Sequence, residues 1–174
     1  MHSVSGTGVG DSALVSQNSY YKLAIENVKK DTPNSRTLAR EYIRKAITLE
    51  PENIFYRLKL ASLLEESFSA SAEGEYHSIL SIDTNNTDAL LGLARIVEKN
   101  FYEWLNSAKL FEENIVISFN DDAMEDFYSA EMYYKKILII DSLNYLANTK
   151  LALLYEAVDN NDESFLLLNR LVKN

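Results

Sequence analysis

A helix-ending segment recurs along this chain at a near-constant period, and the period decides what can be built from it. In Lys45-Ala-Ile-Thr-Leu-Glu-Pro51, Ala46, Ile47 and Leu49 carry a helical apolar pattern. Pro51 then forbids continuation, and Asn53 can cap whatever follows. Comparable segments begin at Ser78 and Lys136, and Arg170-Leu-Val-Lys-Asn174 repeats the motif at the end of the chain, giving steps of 33, 58 and 34 residues. A second marker, the dipeptide Leu-Ala, occurs at Leu23, Leu60, Leu93 and Leu151, with steps of 37, 33 and 58. The two markers agree on a period near 34 and on the place of a 24-residue insertion. A period of this length means an array of supersecondary units, each too small to bury its own apolar face.

Composition supports helices. An apolar fraction of 47% in 174 residues is ample for the core of one domain, and 5 Gly with 2 Pro is too few for a turn-rich β protein. With no cysteine there are no disulfides and no thiol-based metal or redox chemistry. The net charge of -9 argues against nucleic-acid binding. The acid excess is uneven: residues 1–87 carry 9 basic and 11 acidic side chains, residues 88–174 carry 8 and 15. Such an imbalance favours a basic partner, and it also simply favours solubility. No apolar run reaches the length of a membrane span. The Gly- and Ser-containing stretch 1–16 lacks the basic and apolar regions of a signal peptide and is expected to be a disordered tail. A cytoplasmic location is expected.

After residue 17 the apolar spacing is helical almost throughout. It predicts four helical pairs in units of about 17–52, 53–85, 86–143 and 144–174. The third holds an insertion at about 100–123. There Leu90, Ala94, Val97, Phe101, Trp104, Ala108, Phe111 and Ile115 form a seam that alternates four and three. Asn100 followed by Glu103 has the form of a helix cap. One continuous helix from 87 to about 117 fits the seam, and so does a break near Asn100 with an extra helix over about 101–117. The break is the expectation, because a helix that long could not be matched by a return helix from 122 to 140.

The phased pattern resembles the tetratricopeptide repeat, a helix-turn-helix unit of 34 residues. The strongest match is Ala39 to Asn53, with small residues at Ala39 and Ala46, Ile43 between them and a terminal Pro51. Ala61, Ala94 and Ala152 stand where the family places the small residue that lets helices approach. Thr84 and Ser142 depart from the family at the terminal proline. The resemblance implies an all-α, right-handed superhelix of about four helical hairpins with an extra helical insertion in the third. It also implies a scaffold for protein or peptide partners rather than an enzyme.

Catalytic, cofactor and metal sites are not expected. The two histidines, His2 and His77, lack the companions that a nucleophilic or metal centre needs, and no phosphate-binding glycine loop is present. Acidic turns at Asp121–Asp126 and Asp159–Glu163 read as solvated surface. The candidate groove lies on the first helices. Glu65, Glu98 and Glu156 each stand four residues after a small alanine and so at one level of the stack. Leu58, Ser62, Leu91, Arg95, Thr149 and Leu153 supply neighbouring contacts. A row of carboxylates there would take a basic segment. Phe101, Trp104 and Phe111 of the insertion form a second candidate surface, open to self-association. A secretion or assembly chaperone for an apolar client is the alternative reading.

Overall fold

The structure, a computed structural model, describes residues 10–65, 67, 69–111 and 121–173 of the chain. Among the described residues eight helices follow one another: α1 (Gly10–Lys30), α2 (Pro33–Leu49), α3 (Ile54–Leu64), α4 (Ser69–Ile82), α5 (Thr87–Phe111), α6 (Asp121–Ile140), α7 (Tyr145–Ala157) and α8 (Asn161–Val172). Each packs on its neighbours in the chain, and α3 also packs on α5. This is an all-α stack of four hairpins, α1–α2, α3–α4, α5–α6 and α7–α8, with the third pair lengthened.

The turns between hairpins explain how the repeat survives the loss of its proline. Asn53, Asn86 and Asn144 each accept a backbone N–H three residues on, at 3.2, 3.1 and 3.0 Å. They cap α3, α5 and α7, and their spacing of 33 and 58 keeps the period. Asn53 also donates to Glu50 at 2.6 Å and Asn86 to Asp83 at 3.2 Å, while Asp141 accepts the Leu143 N–H at 3.1 Å. An acid three residues before a capping Asn therefore fixes the turn where Pro51 has become Thr84 or Ser142. Within the first and last hairpins the turn uses a left-handed residue instead, Asp31 (φ 48°) and Asp159 (φ 59°). Asp tolerates that conformation better than most residues.

Small residues set the helix spacing. Ala24, Ala39, Ala61, Ala94 and Ala152 are buried, as are Ala46, Ala72, Ala130 and Ala147. Gly92 goes further: a Cβ there would fall 2.2 Å from the Tyr76 ring. α5 must present bare backbone for that ring to lie against it. The buried residues form two contiguous clusters, one over the first two hairpins and the start of α5, the other over α5 to α8.

Three expectations are corrected. The helical region begins at Gly10 rather than near residue 17, since nothing in Asp11–Gln17 breaks the helix. Residues 1–9 of the expected tail lie outside the described residues. α5 does not break at Asn100. Phe101 and Leu105 are buried against Ala123 and Phe127 of α6, so the seam goes on burying apolar area and gives the helix no reason to stop. Asn100 bonds sideways to Asp126 rather than capping a new helix. The return helix runs from Asp121 to Ile140, 20 residues against the 25 of α5. Finally, Phe101 is core, fully buried beside Phe127 with ring centroids 5.8 Å apart, and is not a surface anchor. Trp104 is half-buried against the same cluster. The side chain of Phe111, and Ile115, Ile117 and Phe119, lie outside the described residues.

Candidate functional site

The first helices α3, α5 and α7 line one side of the stack, and between them opens a pocket of about 610 Å³. Ile96, Tyr102 and Leu153 give it apolar surface, and Glu65, Arg95, Glu98, Lys99, Asn100 and Lys150 give it polar surface. Tyr102 ties its two sides together by donating to the Leu153 carbonyl at 3.2 Å. Tyr102 can do this because α5 runs unbroken past Asn100.

The carboxylates in this pocket are not free. Arg95 of α5 reaches Glu65 at the end of α3 at 2.6 Å, and the Tyr76 hydroxyl of α4 donates to the same Glu65 oxygen. One unit along, Lys150 of α7 reaches Glu98 of α5 at 3.1 Å, and Tyr134 of α6 donates to Glu98 at 2.7 Å. Each set joins a first helix, its second helix and the next unit's first helix through one carboxylate. Glu98 is 5% exposed, and the side chain of Tyr134 is fully buried. Burial chiefly, then the hydrogen bonds to Glu65 and Glu98, push the Tyr76 and Tyr134 hydroxyls well above the ordinary tyrosine pKa. Tyr102 is pushed up to about 12, first by burial and then by the charges of Glu98 and Glu156. Burial works against the charge of Arg95, but the bond to Glu65 and its charge outweigh that and raise its pKa.

The expected row of exposed carboxylates is thus corrected. Glu98 is buried and Glu65 half-buried, each bound within the array; only Glu156 is exposed, and it accepts from Ser164 at 2.9 Å. The sequence pattern located the level of these residues but not their direction, because the partnering tyrosines come from second helices. Side-chain exposure on the rim belongs mainly to cations: 45% for Arg95, 60% for Lys99 and 36% for Lys150, against 24% for Glu65 and 6% for Glu98.

Of the sequence-predicted groove residues, the pocket brings together Glu65, Arg95, Glu98 and Leu153. Leu58 and Leu91 are half-buried against the core, Ser62 is exposed and bonds to the Lys59 carbonyl, and Thr149 bonds to that of Tyr145. The pocket adds Ile96, Lys99, Asn100, Tyr102 and Lys150. Helical spacing held the signal for two of them, since Lys99 follows Arg95 by four and Tyr102 follows Glu98 by four. Among the described residues, no cluster of three His, Cys, Asp or Glu side chains could hold a metal, and no helix is long and apolar enough to cross a membrane.

No family model matches the chain, and no curated protein matches its sequence. Solved structures do resemble it. The MamA protein is 15% identical over 91% of this chain and 91% of its own, with a TM-score of 0.41. A tetratricopeptide repeat protein from Parabacteroides merdae is 21% identical over 91% of this chain and 66% of its own, with a TM-score of 0.46. PilF of Pseudomonas aeruginosa is 15% identical over 93% of this chain and 78% of its own, with a TM-score of 0.41. All three likenesses are distant.

Proposed function

We propose that this protein is a binding scaffold, without a catalytic step of its own, that takes a segment of a partner polypeptide in the pocket between α3, α5 and α7. The observation that carries this reading is the pocket itself, about 610 Å³ with Ile96, Tyr102 and Leu153 inside and charged side chains around them. Pockets of this size, mostly apolar with a few placed polar groups, suit a side-chain anchor with a polar flank. Tyrosine suits recognition because it offers apolar area and one polar tip.

The charge of the segment follows from which groups can still be engaged. Glu65 and Glu98 already hold Arg95 and Lys150, and a basic ligand would have to displace those cations. Lys99, the most exposed rim cation, meets the exposed Glu103 at 3.6 Å, a long and weak pairing. The pocket therefore favours an apolar anchor followed by an acidic or neutral polar residue over the basic segment that sequence alone suggests. A chaperone for an apolar client would use the same pocket, without the charge preference.

The test is selection of peptides from a random displayed library on the wild-type protein, followed by binding to two surface variants. Leu153→Asp should weaken the selected peptides by at least about tenfold, since one buried apolar side chain is worth about 1.5–3 kcal/mol. Lys99→Glu should weaken acidic-flanked peptides and leave neutral ones unchanged. Selected peptides that bind Leu153→Asp as well as wild type would remove the pocket from the account.

A further inference from the structure

We infer that the outer face of α6 is a self-complementary contact for a second copy of this chain. α6 spans Asp121–Ile140, and its buried side is Ala123, Phe127, Ala130, Tyr134 and Ile137. Its other side leaves Tyr128 58%, Met132 47% and Ile139 84% exposed. At a helical repeat of 3.6 residues these three share one stripe, with Asp121, Met124 and Lys135 on the same face. Beside the stripe is a shallow depression of about 500 Å³ formed by Asp121, Met124, Glu125, Tyr128, Ser129 and Met132. Nothing in the pocket between α3, α5 and α7 involves this face, so the inference stands apart from the proposed function.

Charge identifies the occupant. The face is acidic at its start, with exposed Asp121 and Glu125, and basic towards its end, with exposed Lys135 and Lys136. Lys135 is already held by Glu131 at 2.8 Å, so the pairing rests on Lys136. Glu125 and Lys136 lie about three turns apart and therefore on the same flank of the stripe. When two identical helices pack antiparallel about a twofold axis, like flanks meet and opposite ends face each other. Glu125 of each copy then faces Lys136 of the other. Tyr128 faces Met132, a sulfur–aromatic pairing that tolerates imperfect fit. A parallel arrangement would set acid against acid and base against base. The contact follows one helix about 30 Å long, so it falls at the small end of protein interfaces and the dimer should be weak.

The experiment is sedimentation velocity of the full chain over a wide concentration range at neutral pH and low salt. The wild type should shift from monomer to dimer as concentration rises. Glu125→Lys and Lys136→Glu should each raise the dimer dissociation constant at least about tenfold, by placing like charges in contact. Mixing the two variants should restore association, because each mixed dimer regains an attractive Glu–Lys pair at one end and a second pair of reversed sign at the other. Both side chains are exposed, so each variant should keep its helicity, which circular dichroism checks. A chain that stays monomeric at high concentration overturns the inference. So does a dimer that both variants leave intact, including one lost instead on Phe165→Asp, which would put the contact on α8.

Discussion

Replacing Glu98 by Ala removes the carboxylate that joins three helices, and its cost can be worked out from its surroundings. Tyr134, fully buried, loses the acceptor that it meets at 2.7 Å. A buried hydroxyl without a partner costs about 1–3 kcal/mol. The lost methylene adds about 0.8 kcal/mol. Lys150, whose side chain is 36% exposed, turns to water and adds little. The expected loss is about 2–4 kcal/mol, a large share of the 5–15 kcal/mol typical of a domain. Tyr134→Phe alone should cost about 1 kcal/mol, because Glu98 keeps Lys150 at 3.1 Å. In the double variant no hydroxyl is left unpartnered, so the two losses should fall short of additivity by about 1–2 kcal/mol. Urea unfolding of the four proteins, followed by helix signal, measures this cycle. A Glu98→Ala variant within about 0.5 kcal/mol of wild type, or losses that simply add, would refute the role of Glu98 in joining α5, α6 and α7.

Gly92→Ala gains about 1 kcal/mol of helix propensity but drives a methyl into the Tyr76 ring 2.2 Å away, so it should lower the melting temperature instead of raising it. Asn144→Ala removes the cap of α7 and should cost about 0.5–2 kcal/mol in urea unfolding, whereas Asn85→Ala, outside the cap, should cost much less. In an absorbance titration of the folded protein, Tyr102 should ionise near pH 12 and Tyr76 and Tyr134 later still; Tyr102→Phe should delete one late step. A raised folded-state pKa favours the folded state fully below the unfolded value near 10, and that stability is lost as pH rises through the folded value. The urea midpoint should therefore fall steeply above pH 10.

The fold was legible because its signals are local and repeated. Ala61, Ala94 and Ala152 mark close helix approach, and Pro51 with Asn53 marks a boundary that Asn86 and Asn144 repeat. What stayed hidden depended on partners distant in sequence. Asn100 has the form of a cap, yet Phe101 and Leu105 bury against α6 and hold the helix through it. Glu98 has the spacing of a groove residue, yet Tyr134, 36 residues away, and Lys150, 52 away, turn it inward. An acid in an acidic protein gives no sequence signal of that kind. Reversing Glu98 to Lys, which the sequence alone would offer as a harmless groove mutation, should unfold the array.

The most direct test of the account is to map where a library-selected peptide touches the isotope-labelled protein by amide chemical shifts. The perturbed amides should cluster on α3, α5 and α7 around Ile96, Tyr102 and Leu153, and the Leu153→Asp variant should abolish the shifts. Perturbations gathered on the second helices α2, α4, α6 and α8, with α5 and α7 silent, would contradict it.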